Sequence, residues 1–198
     1  MVTYTGTGAA ATIGHGLGKA PSMIITKQRN GTWNWMSYHS ALGATKYLYL
    51  NATDAQATDA QTYASAPTST VWSVGTNAQI NGNTSTYVSY VFAEVAGFSK
   101  FGSYTGNGSS QTINCGFSAG ARFVLIKRTD STGDWYVWDS VRGIVASTDP
   151  HLSLNTTAAE VTTDDSIDPD NSGFIVNQLS ATNINVTSAT YIFIAFLS

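Results

Sequence analysis

Residues 104–127 read YTGNGSSQTINCGFSAGARFVLIK, and residues 4–27 read YTGTGAAATIGHGLGKAPSMIITK. At a constant offset of 100, Tyr4-Thr5-Gly6-x-Gly8 meets Tyr104-Thr105-Gly106-x-Gly108, Thr12-Ile13 meets Thr112-Ile113, and Lys27 meets Lys127. Met23-Ile24-Ile25 lies over Phe123-Val124-Leu125, and no gap is needed in 24 positions. A fixed internal period marks a repeated structural unit. The chain therefore reads as a tandem duplication: a first module over residues 1–95, a short packed linker at 96–101, and a second module over 102–198.

Working outward from the repeat, each module is a series of short β runs separated by turn signals. Ser22–Lys27 carries a continuous apolar triplet and reads as a buried strand. Asn30-Gly31 and the aromatic run Trp33–Tyr38 then predict a hairpin. Phe123–Arg128 and Trp135–Trp138 repeat it, with a loop read as two residues longer. Tyr47–Asn51 corresponds to Leu152–Asn155. Each module closes on its strongest strand, Thr86–Phe92 and Thr190–Phe196, and the second is apolar enough to be buried on both faces. Because that strand stops just before Ser198, the end of the protein is expected close by. Neither polar stretch, Ala52–Thr70 or Thr156–Ser172, shows sustained helical periodicity. The fold class expected is all-β: two tandem, similar β-sandwich or partly closed barrel modules of about seven short strands each. One larger sandwich whose halves share sheets is the alternative.

Composition narrows the function. Charged residues are only 11% of the chain and the net charge is −3, with nine basic residues scattered singly. Nucleic-acid binding needs clustered cations to neutralise phosphates, so no nucleic-acid partner is expected. No apolar run is long enough to span a bilayer, so membrane insertion is not expected, and no secretory signal is visible at the start. The single cysteine, Cys115, rules out an internal disulfide; its counterpart His15 shows that the position does not require sulfur.

The combination of YTGxG, TI and a following glycine, then an apolar triplet with lysine, a tryptophan, a leucine strand ending in asparagine and a closing aromatic strand resembles a tandem repeat module of tailed-bacteriophage virion proteins. It is similar to uncharacterised modules of phage tail and tail-fibre proteins. The resemblance covers essentially the whole chain. It implies a non-enzymatic virion structural protein, a tail-fibre adhesion module or a capsid decoration, located on the virion and serving assembly, display or host attachment. The partners implied are other virion proteins, further copies of the chain in a homo-oligomer, and a host-surface glycan. The chain contains only the two modules, so it is either part of a longer fibre or a small stand-alone virion protein. A carbohydrate-binding adhesin and a polysaccharide depolymerase are the alternative functions.

Candidate sites are few. Aromatic rings flanked by Asn, Asp and Thr suit sugars, whose C–H faces pack on π surfaces. Trp33 and Trp135, taken as shared by the modules, are expected to be core anchors. The unshared Trp72 and Trp138, with Asp139, are the candidates for an exposed ligand-binding platform, and burial in the core or in a subunit contact is the reading that competes with it. Asp168-Pro169-Asp170-Asn171-Ser172-Gly173 resembles the opening of a calcium loop, with oxygens at Asp168, Asp170 and Ser172 and glycine at the sixth place. The twelfth place is Leu179, so the bidentate carboxylate is missing, and a plain turn into the Phe174 strand explains the same residues. No cofactor is expected, and calcium is the one candidate metal. Gly116-Phe117-Ser118-Ala119-Gly120 fits the spacing of a nucleophile elbow, but a β run follows where that motif needs a helix. No catalytic residue is assigned.

Overall fold

A computed structural model describes residues 1–198. The chain divides into two compact units, residues 1–51 with 56–93, and residues 52–55 with 94–198. The first unit holds β1 (Val2–Thr5), β2 (Ala11–Gly14), β3 (Met23–Gln28), β4 (Met36–His39), β5 (Lys46–Tyr49), β6 (Ala57–Thr58), β7 (Val71–Val74) and β8 (Thr86–Phe92). The larger sheet runs β1-β8-β3-β4-β5-β6, and β2 pairs with β7. The second unit holds β9 (Ser99–Thr105), β10 (Gln111–Asn114), β11 (Ala121–Arg128), β12 (Trp135–Asp139), β13 (His151–Ser153), β14 (Ile167–Asp170), β15 (Gly173–Val176) and β16 (Thr190–Leu197). Its sheets run β13-β12-β11-β16-β9 and β10-β15-β14.

The fold is an all-β sandwich type with antiparallel neighbours and no closed barrel. Each unit contributes eight strands, and each sheet draws its strands from one half of the sequence. The order β1-β8-β3-β4-β5 recurs as β9-β16-β11-β12-β13, and β2-β7 recurs as β10-β15. Residues 96–101, read from the sequence as a linker, are instead a turn followed by the first three residues of β9. The reason is that Ser99 and Phe101 alternate inward and are buried, as strand residues on a core face are.

In each unit the apolar core lies between the larger and the smaller sheet. Ile24, Met36 and Tyr38 pack with Tyr63, Trp72, Val74 and Ile80 in the first. Val124, Ile126, Trp138, Phe174, Val176, Tyr191 and Phe193 are at the centre of the second. β16 has five consecutive buried residues, Tyr191–Ala195, as its unbroken apolar run implies.

The register corrects the reading of the hairpins. Thr26 faces Met36, and Ile126 faces Tyr136, so the two connections are equal in length. The counterpart of Trp135 is therefore Trp35 and not Trp33. Trp135 is 1% exposed, whereas Trp33 lies outside β4 and is 50% exposed. Asn30 does not make the tight two-residue turn that Asn-Gly suggests. Its Oδ1 accepts from Thr86 N at 3.0 Å, as Asp130 Oδ1 accepts from Thr190 N at 3.0 Å. The residue clamps the connection onto the closing strand.

Candidate functional site

The duplicated signature builds scaffold in both units. Tyr4 donates its hydroxyl to Ile80 O, and Tyr104 to Ile184 O, each at 2.6 Å. The Asn81 and Asn185 side chains accept from Thr7 N and Asn107 N at 2.9 and 3.0 Å. Gly8 N and Gly108 N donate to the main-chain carbonyls of the same two asparagines. Gly6 and Gly106 are required by close approach: a Cβ there would meet Gly82 O at 2.3 Å and Val186 O at 2.1 Å. The YTGxG residues thus fasten the first strand of each unit to the segment before its last strand.

The residues expected to form a ligand platform are elsewhere in the architecture. Trp72 is 1% exposed and Trp138 is fully buried, so neither offers a face to a ligand. Trp72 packs edge-on against Tyr4, and Trp138 sits in the second core. They differ between the modules because each core fills its volume with different rings: Tyr38 holds the β4 place that Trp138 holds on β12, as the equal registers require. Asp139 caps a turn, accepting from Val141 N and Arg142 N and pairing with the Arg142 guanidinium.

The Asp168–Gly173 stretch is the tip of the β14–β15 hairpin: Asp168–Asp170 are paired strand residues of β14, Asn171-Ser172 is the turn, and Gly173 opens β15. Asp170 Oδ1 accepts from Ser172 N at 2.8 Å and Ser172 Oγ at 2.6 Å, which holds its carboxyl below the usual range. Asp168 Oδ2 accepts from Asn177 Nδ2 at 2.8 Å. Both carboxylates already have protein donors. Gly116–Gly120 is a turn into β11, and its Ser118 is followed by no helix. Cys115 is buried, and burial pushes its thiol up to about 12, which leaves little nucleophilic thiolate.

A cleft of about 520 Å³ opens in the second unit. One wall is the β11–β12 connection, Arg128 with Ser131–Asp134; the others are Thr53, Tyr136, and Ala181–Ile184 beside Tyr191. Arg128 forks onto Asp130, Nε to Oδ1 at 3.1 Å and Nη2 to Oδ2 at 3.0 Å. Asp134 Oδ1 accepts from Asn155 Nδ2 at 2.7 Å, and the same asparagine accepts from Trp135 N at 2.8 Å. Asn51, Asn34 and Trp35 repeat that staple in the first unit. Thr53 is held by Gly133 N at 3.0 Å and by Lys127 Nζ at 3.1 Å. Lys127 is fully buried, also donates to Arg128 O at 2.8 Å, and is brought down to about 8 by that burial. The two bonds to Thr53 hold residues 52–55 in the second unit.

The comparison with known families adds one match. Residues 1–198 match the family described as Domain of unknown function (DUF7483). The chain belongs to that family. No curated protein and no solved structure was found to match it.

This DUF7483 chain also carries a buried polar cluster that sequence reading missed. Asp149 is fully buried and accepts from Ser166 N at 2.9 Å and Ile167 N at 3.2 Å. Burial pushes its carboxyl up to about 7. His151 Nδ1 lies 3.2 Å from Asp164 Oδ1, and Ser166 Oγ lies 2.9 Å from Thr182 Oγ1. No group of three or more His, Cys, Asp or Glu is arranged to hold a metal ion. No helix is long and apolar enough to cross a membrane. The cleft and this cluster both fall where the modules differ in sequence, so the repeat signal that exposed the fold gave no sign of either.

Proposed function

We propose that this chain is a non-enzymatic virion structural module, a tail-fibre or capsid-decoration element that serves assembly, display or host attachment. The observation that carries the reading is the use of the repeated residues. Tyr4 and Tyr104, Gly6 and Gly106, and Asn81 and Asn185 make the same scaffold contacts in both units. What was duplicated is thus a means of holding a β unit together, as expected of a protein whose task is shape. The resemblance of the signature to phage tail modules supplies the setting. A surface that relies on hydroxyls and amides, with 11% charged residues, suits assembly with other virion proteins and with copies of the same chain.

Antibody raised against the chain should label purified tailed particles released by cells that encode it, at a fixed place on each particle. Protein that stays in the soluble fraction, with particles free of label, would sink the reading. Release of reducing ends from host polysaccharide by the purified chain would replace it with the depolymerase alternative.

A further inference from the structure

The geometry points to a neutral saccharide as the ligand of the second unit's cleft, held by the Tyr136 ring, the Asp134 carboxylate and the Ser131 and Thr132 hydroxyls. This goes beyond the virion reading and does not depend on it, because it concerns what the cleft holds and not where the protein resides.

Size comes first. About 520 Å³ lies within the range of small-ligand sites, roughly 300–1,000 Å³. Charge comes second. The lining carries one cation, Arg128, and one anion, Asp134. Arg128 is engaged with Asp130 through both prongs of its fork, so a phosphate or carboxylate would have to compete with a bidentate partner already in place. Lys127, beneath the wall, has its ammonium on two carbonyls and is not exposed to the cleft. A ligand without net charge is the one that this balance favours.

The polar groups suit a polyol. The Ser131 and Thr132 hydroxyls make no hydrogen bond within the protein and lie on the wall. The Asp134 carboxylate is oriented by Asn155 at 2.7 Å. The Tyr136 ring is half-buried and steadied by Trp138 and His151, with ring centres 5.9 and 5.3 Å away, and its hydroxyl donates toward Ala181 O at 3.4 Å. A fixed aromatic beside a fixed carboxylate can hold the apolar face and the hydroxyl edge of one pyranose ring.

Divergence between the modules supplies an independent argument. The clamp and staple positions keep their roles: Asn30 and Asp130, Asn51 and Asn155. The lining positions among them have changed: Gln28 to Arg128, Gly31 to Ser131, Trp33 to Gly133, Asn34 to Asp134, and Met36 to Tyr136. Loss of the bulky Trp33 side chain and gain of an aromatic ring and hydroxyls converts this wall in one copy while the frame stays the same.

The test is a titration of the isotope-labelled full chain with D-glucose, D-galactose, D-mannose, N-acetylglucosamine and lactose, read by amide shifts, beside a neutral-glycan array. At least one sugar should move the Ser131–Asp134 and Ala181–Asn183 amides saturably. Asp134→Asn and Tyr136→Met each import the first module's residue, and each should weaken that sugar at least about tenfold, about 1.4 kcal/mol. Asp134→Asn keeps an oxygen for Asn155 and should hardly move Tm, whereas Tyr136→Met loses the ring contacts with Trp138 and His151 and should melt lower while staying folded at the titration temperature. The proposal is overturned if no sugar gives a saturable shift. It is also overturned if the shifts lie outside the cleft, if inorganic phosphate moves the same amides more tightly than any sugar, or if both folded variants bind at full strength. Particle labelling is a separate readout, so either reading can fail alone.

Discussion

Gly102 on β9 and Phe193 on β16 are cross-strand partners, and the Phe193 ring occupies the space in which a Gly102 side chain would begin. A Cβ on Gly102 would lie 2.5 Å from Phe193 Cζ and 2.6 Å from Cε1. In the first unit the same pairing is Val2 with Ser89. The large member has changed strands, so each pair fills its place with one bulky and one small residue. Phe193 is buried among core residues and has little room to retreat.

Gly102→Ala should therefore cost about 1–3 kcal/mol, the range for overpacking a filled core. The cost should be smaller in a Phe193→Leu background, because neighbouring substitutions are not additive. Denaturant melts of the four proteins of the cycle measure it. Equal cost in both backgrounds would mean that the ring is not what excludes the side chain.

Much of the fold was legible because the repeat fixed equivalences before any strand was assigned. Ile24 and Val124, or Tyr87 and Tyr191, hold equivalent places in the two copies, and an alternating or unbroken apolar run around each marks the strand. The site was less legible. Trp72 and Trp138 looked like platform residues because they were unshared, yet a difference between repeats can also reflect repacking of a core. Tyr38 in place of Trp138 is such a case. The cleft depends on residues far apart in sequence, Thr53, Asp134 and Asn183, and no local pattern joins them. The Asn30-Gly31 signal misled for a related reason: a long-range bond to Thr86 decided the connection's shape.

Burial of Trp72, Trp135 and Trp138 has a spectroscopic consequence. Trp33 is half exposed, while those three are each 1% exposed or less. Trp35 is partly buried, so acrylamide should quench Trp33 most and Trp35 less, and Trp33→Phe should remove the largest share of the quenchable emission without unfolding the protein. Trp138→Ala, by contrast, should cost about 3–5 kcal/mol, as truncation of a buried aromatic does. A Trp138→Ala protein that melts like the parent would contradict its place in the core.

Asn185 is the most heavily used side chain of the signature. It accepts from Asn107 N at 3.0 Å and Gln111 Nε2 at 2.6 Å, and donates to Val176 O and Ser109 O. Asn185→Ala removes these bonds together, each worth about 0.5–1.5 kcal/mol, and takes the side-chain donor from the buried Val176 O. The loss should exceed that of Tyr104→Phe, which removes one hydroxyl bond worth about 1 kcal/mol. Chemical denaturation orders the two variants. The reverse order would show that the tyrosine, not the asparagine, is the main fastening.

Calcium should leave the melting temperature unchanged at millimolar concentration. Asp170 already accepts twice from Ser172 and Asp168 accepts from Asn177, so a cation would have to displace protein donors from a two-residue turn. The loop also lacks the bidentate twelfth ligand. A rise of several degrees that disappears in Asp168→Asn would establish the calcium site instead.

Asp149 gives the protein a pH dependence of defined sign. Its carboxyl moves from an ordinary 3.8 to about 7 on folding, chiefly through burial, with the nearby Asp164 charge adding to the rise. Ser166 N and Ile167 N oppose it by donating to the carboxylate, and His151 lies across the same cluster beside Asp164. Between about 4 and 7 the folded state therefore holds a proton that the unfolded chain has released. Stability from this group is complete below the lower value and is lost as pH rises through the upper one. Asp130, kept low by the Arg128 fork, has the opposite sign and acts below its ordinary 3.8. The two windows are separate, so Asp130 does not enter the slope between pH 4 and 7, and comparison with a variant assigns the share due to Asp149. Asp149→Asn should be less stable throughout, because an amide nitrogen cannot accept from the second backbone N–H, but its denaturation free energy should vary less across that window. A variant whose pH profile runs parallel to the parent's would show that Asp149 does not hold its proton in the folded protein.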